Sequence, residues 1–107
     1  MSLGVPDYSQ FYAETELEFG HLLEDARQSF SEAEQKEVLR FLAAREYGMA
    51  LETFTGILIE ESKFIRPPVL QRLDKIAAAI GLQDEGFIYD LHNIQGSPDD
   101  LFKTLSG

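Results

Sequence analysis

From Tyr47 onward, large apolar residues fall at 47, 51, 54 and 58, with Ala50 and Ile57 beside them. Steps of three and four residues put this set on one face of an α-helix, in a stripe about as wide as a helix presents to a core. The stretch starts at Arg45-Glu46, runs to about Ser62 and lies near the middle of a 107-residue chain, with helical patterns on both sides. So broad an apolar face has to be covered by neighbouring elements, which predicts an all-α bundle built around this helix.

The flanking segments supply the cover. Asp7 is placed to cap a helix opening at Tyr8, in which Tyr8, Phe11, Tyr12, Thr15, Phe19, Leu22, Leu23 and Ala26 keep helical spacing. Gly20 inside that pattern would allow a close helix crossing. Ser31-Glu32-Ala33-Glu34 reads as a capping box, with Phe30 as a hydrophobic staple on Gln35 or its neighbours, and the helix continues through Val38, Leu39, Phe41 and Leu42. Gly48, just past the Arg45-Glu46 corner, suits a tight helix start and close backbone packing. Pro67-Pro68 opens a further helix with its stripe at Val69, Leu70, Leu73, Ile76, Ala77 and Ile80, and Gly81 stops it. Beyond Gly81, Phe87–Leu91 fits a helical turn, a short helix or an isolated strand. Ser97-Pro98-Asp99-Asp100 starts a short helix that would dock Leu101, Phe102 and Leu105. The expected fold is a small antiparallel helical bundle of about four main helices plus a short C-terminal helix. It forms a single domain, with residues 1–6 flexible and 83–107 a C-terminal extension.

Charge narrows the partners. Nineteen acidic residues against nine basic ones give −10, unevenly spread. Residues 1–37 hold nine acids and two bases, 38–82 five and six, and 83–107 five and one. Such a field repels nucleic acid and anionic membranes and attracts a basic protein, although it also serves plain solubility. No apolar run approaches the roughly 20 residues needed to span a bilayer, and Met1-Ser2-Leu3-Gly4 lacks the form of a secretory signal. With no cysteine there is no disulfide, thiolate nucleophile or thiolate metal site. The cytoplasm is the expected compartment.

Catalytic patterns are missing. There is no Gly-x-Ser-x-Gly elbow, no phosphate-binding loop and no dinucleotide fingerprint. Only His21 and His92 could act as imidazole bases. Glu18-x-x-His21 resembles one half of a helical carboxylate metal site, and Glu14, Glu18, His21 and Asp25 could share a helix face. A di-metal bundle needs a second such pair, which the chain lacks, so these residues are read as an ordinary polar stripe. No enzymatic activity, metal or cofactor is expected.

The segment Phe41-Leu42-Ala43-Ala44-Arg45-Glu46-Tyr47-Gly48-Met49-Ala50-Leu51-Glu52-Thr53-Phe54 resembles the centre of the MafI-type immunity proteins of polymorphic and contact-dependent toxin systems. The likeness continues through Glu60-Glu61, Pro67-Pro68 and Gly81-Leu82 and covers roughly residues 8–82. It implies a small helical bacterial protein that binds and neutralises a cognate toxin domain. Combined with the charge, the toxin is expected to be a basic nuclease-type domain, met by Glu14, Glu16, Glu18, Glu24 and Asp25 of the first helix and Glu32, Glu34 and Glu37 of the second. Exposed aromatics, with Tyr12 and Tyr89 as candidates, would supply the hot spots. The alternative is a non-catalytic helical interaction or regulatory module, including a homodimer that associates through apolar faces.

Overall fold

A computed structural model describes residues 8–95, which form five α-helices and no strand. They are α1 (Ser9–Asp25), α2 (Glu32–Ala43), α3 (Tyr47–Glu60), α4 (Pro67–Ala79) and α5 (Gly86–Gln95). The expected all-α bundle is what the chain forms. No helix among the described residues is long and apolar enough to cross a membrane.

Local chemistry sets most of the helix ends. Ser31 accepts a hydrogen bond from the Glu34 amide at 3.1 Å, and Glu34 accepts one from the Ser31 amide at 2.8 Å, completing the capping box. The Ser31 N–H, and then the Lys63 ammonium at 3.2 Å, hold the Glu34 carboxyl below its ordinary 4.5, against an opposing push from burial. A depressed carboxyl stabilises the fold above its unfolded-state value, so this contribution is present at neutral pH and fades as pH falls below 4.5.

Three helices end in the same doubly hydrogen-bonded turn. Glu46 and Arg45 amides donate to Phe41 and Leu42, Lys63 and Ser62 to Leu58 and Ile59, and Leu82 and Gly81 to Ala77 and Ala78. The turn needs a left-handed residue, supplied by Arg45 (φ 57), Ser62 (φ 50) and Gly81 (φ 79). Only the last of these is the glycine that makes such a stop readable from sequence.

α3 sits at the centre, as its stripe predicts. Ala50, Leu51, Phe54, Thr55 and Leu58 have no exposed surface, and Tyr47 keeps 6 %. α2 and α5 both pack on α3, and α4 packs on α1. The shared core takes Phe19 and Leu22 from α1, Val38 from α2, Leu73 and Ala77 from α4, and Ile88 and Leu91 from α5. Buried Thr55 is satisfied within its own helix, donating to the carbonyls of Leu51 and Glu52 at 3.0 Å each.

Several local expectations change. α1 begins at Ser9 with Tyr8 in the cap position and no side-chain cap bond, while Asp7 lies outside the described residues. The helix runs unbroken through Gly20, and a Cβ there would meet nothing within 4 Å, so the glycine serves no close crossing. At Gly48 a Cβ would touch only the Leu82 side chain, at 3.5 Å, which is ordinary contact and not close backbone packing. Phe30 does not staple onto Gln35: it is buried and stacks on Phe54, with centroids 4.6 Å apart. Gln35 instead donates its amide to the carbonyls of Phe30 and Arg27. Tyr8 and Leu39, placed in stripes by their spacing, are exposed. Of the readings open for Phe87–Leu91, the helix forms, as part of α5. The short helix from Pro98 lies outside the described residues.

A side-chain clasp closes the far end of α5. Gln95 accepts from the Ile65 amide at 2.8 Å and donates to the Lys63 carbonyl at 2.7 Å, pinning the α3–α4 loop. Gln95→Ala is expected to cost about 1–2 kcal/mol, because two partly buried backbone groups lose their partner. Amide exchange should quicken first at Ile65. An unchanged Ile65 rate would show that the clasp does not hold the loop.

Candidate functional site: an acidic surface and the groove at the start of α3

The acids of α1 and α2 do not form a single free face. Glu18 and Asp25 converge on one cation, Arg72 of α4, at 3.4 and 2.9 Å. Glu24 pairs with Arg27 at 3.5 Å and Glu37 with Arg40 at 2.8 Å, both one turn along the same strand of chain. Glu34 is held in the capping box and by Lys63, whose ammonium also donates to the Ser29 carbonyl and lies 5.4 Å from the Phe30 ring centre. Glu16 accepts a hydrogen bond from the Tyr47 hydroxyl at 2.9 Å. Glu14 accepts from the Gln10 amide at 2.9 Å and has no cation, and Glu32 has no side-chain partner among the described residues. Of the expected contact residues, Glu14, Glu16 and Glu32 therefore lack a cation among the described residues, and of these Glu16 is tied down by the neutral Tyr47 hydroxyl.

The Glu14, Glu18, His21, Asp25 face is not assembled around a common point. No group of three or more His, Asp or Glu among the described residues is arranged to hold a metal ion. The other histidine, His92, lies on α5 with its Nε2 2.8 Å from Asp74 of α4, an exposed pair that ties the two helices together.

Three further unneutralised acids gather elsewhere. Around the start of α3, a groove of about 510 Å³ is lined by Met49, Leu82 and Phe87, with Glu46, Glu52 and Glu85 at its edge. None of those three carboxylates has an ion-pair or hydrogen-bond partner among the described residues. Met49 is 47 % exposed although it belongs to the most apolar of the described helices. The one cation lining the groove, Arg45, is engaged with its guanidinium 4.5 Å from the Tyr12 ring centre. This groove coincides with Glu46–Glu52, the stretch that carries the family resemblance, in which spacing assigned Tyr47, Ala50 and Leu51 to the core stripe. The signal available in the sequence was Met49, an apolar residue outside the stripe and followed by Glu52 one turn on.

Tyr47 forms the inner wall and the link to α1. Its ring is flanked by Phe11, Tyr12 and Phe19 at centroid distances of 6.3, 6.0 and 6.4 Å, Phe11 edge-on and Phe19 stacked. Burial first, and then the Glu16 carboxylate accepting its proton, push the hydroxyl from 10.0 up to about 12. A raised value means the contribution is full below pH 10 and lost as pH climbs through about 12. Tyr47→Phe is expected to cost about 1 kcal/mol at pH 7. The gap between wild type and variant, read from urea midpoints, should narrow above pH 10. A gap that stays constant across that range would mean that the hydroxyl is not held above its ordinary 10.0 in the folded protein. Of the candidate hot-spot aromatics, Tyr89 is 60 % exposed, whereas Tyr12 is half-buried beneath Arg45.

No family model, curated protein or solved structure matches the chain.

Proposed function

We propose that this chain is a small helical immunity protein that binds a cognate basic toxin domain one-to-one in the bacterial cytoplasm and neutralises it without catalysis. One observation carries the reading: unpaired charge on the described surface is overwhelmingly negative. Arg27, Arg40, Lys63 and Arg72 are spent on internal ion pairs and Arg45 on Tyr12. Glu14, Glu32, Glu46, Glu52, Glu60, Glu61, Asp84, Glu85 and Asp90 are left without a cation, against Lys36, Arg66 and Lys75 without an acid. A partner with the opposite sign is drawn in by that field, and a toxin domain that grips nucleic acid through lysines and arginines presents that sign. The resemblance of residues 41–54 to the MafI-type immunity proteins supports a toxin domain as the partner, and the charge supplies the basic character expected of it.

The test is co-purification from a bacterial lysate that also expresses the neighbouring open reading frame, at low and high salt. Recovery of a basic partner in one-to-one ratio is expected, with association slowed by salt. Glu14→Lys with Glu32→Lys should then slow association several-fold at low salt and leave dissociation little changed, since exposed charges act on the encounter rate more than on the bound state. Reversing Glu18 or Asp25 is a poorer probe, because it also releases Arg72. A chain that binds no partner at either salt and sediments as a dimer would replace this reading with that of a homodimeric module.

A further inference from the structure

We propose that the groove at the start of α3 is the docking surface for a basic segment of a partner protein, one that seats an apolar side chain between flanking lysines or arginines. The inference rests on the partner-binding reading above and assigns it a place. The floor is apolar, formed by the Leu82, Met49 and Phe87 side chains, with Gly48 leaving it open above Leu82. The edge carries Glu46, Glu52 and Glu85, all unpaired, so an incoming cation displaces no existing ion pair. Other grooves lack that combination. Between α1 and α4, Glu14 and Glu18 share the groove with Lys75, and Glu18 already holds Arg72. Beside the end of α1, Glu24 and Asp25 are both paired with arginines.

The chemistry also selects the occupant. A second copy of this chain meeting the groove with its own groove, in a two-fold dimer, would bring carboxylates against carboxylates. A purely apolar segment would bury Met49 but leave three acids partly desolvated and unpaired. A basic segment with one apolar side chain satisfies both parts, and exposed charge pairs of this kind add rate and register more than affinity.

The experiment uses the full chain, uniformly labelled with nitrogen-15, titrated with two synthetic pentapeptides at 50 and 500 mM salt. One is Lys-Arg-Leu-Lys-Arg and the other replaces its four basic residues with glutamate. Amide shifts at Met49, Glu52, Leu82, Glu85 and Phe87 are expected with the basic peptide alone. Binding should weaken about tenfold in the variant Glu46→Lys/Glu52→Lys/Glu85→Lys and fall with salt. Met49→Ser, at an exposed position, provides a second variant that retains the charges and should also weaken binding. Shifts confined to α1 and α2, equal shifts with both peptides, or no shifts would each overturn the groove assignment. Should the wild type capture a one-to-one basic partner that the triple variant binds equally well, the groove fails while the immunity reading stands. Should the wild type capture none, that reading fails on its own account.

Discussion

Replacing Phe54 with alanine is expected to remove about 3–5 kcal/mol of stability, a large share of the roughly 5–15 kcal/mol that holds a domain of this size together. Phe54 is fully buried in α3, and its ring stacks on Phe30 at 4.6 Å with planes 29° apart. Phe30 in turn belongs to the turn between α1 and α2 and lies beneath the Lys63 ammonium. One ring therefore joins the central helix to the α1–α2 turn and, through Lys63, to the start of the α3–α4 loop. The cavity left by alanine is walled by several elements and cannot collapse by moving one side chain. Phe54→Leu, which keeps most of the volume, should cost about 1–2 kcal/mol. Urea unfolding of the three proteins checks this. A loss below about 1.5 kcal/mol for the alanine variant would mean that the stacked pair is not a core contact.

Leu91→Ala is expected to cost about 2–5 kcal/mol and to loosen α5 ahead of the rest of the domain. α5 has ten residues, too few to be stable in water alone, and α3 is its main packing partner. Its buried anchors are Leu91, with no exposed surface, and Ile88 with 6 %, aided by the Gln95 clasp. Hydrogen exchange should therefore show amides 86–95 losing protection before those of α3. Because Glu85 and Phe87 stand at the start of the same segment, the groove should lose its far wall in this variant while the α1 acids stay in place. Uniform loss of protection over all five helices would show instead that α5 unfolds only with the whole domain.

What could be read in advance follows the range over which each interaction acts. The capping box at Ser31, the proline start at Pro67-Pro68 and the glycine stop at Gly81 depend on residues within one helical turn, so their chemistry is visible in the chain. The left-handed stops at Arg45 and Ser62 use residues that disfavour that conformation, and only the packed helices on either side hold them there. Phe30 was readable as apolar, but its partner Phe54 lies 24 residues away and no periodicity links the two.

The same division separates acids that are free from acids that are not. The sequence by itself determined the number of carboxylates, their excess over cations and the apolar stripe of α3, because charge and spacing are properties of the chain. Only the tertiary structure decided that Arg72 occupies Glu18 and Asp25, that Tyr47 occupies Glu16, and that Lys63 occupies Glu34. It also decided that Glu46, Glu52 and Glu85, divided between two stretches of chain, border one apolar groove without a cation. Ion pairing is settled by distances of a few ångströms between helices, and those distances exist only once the helices have packed around α3.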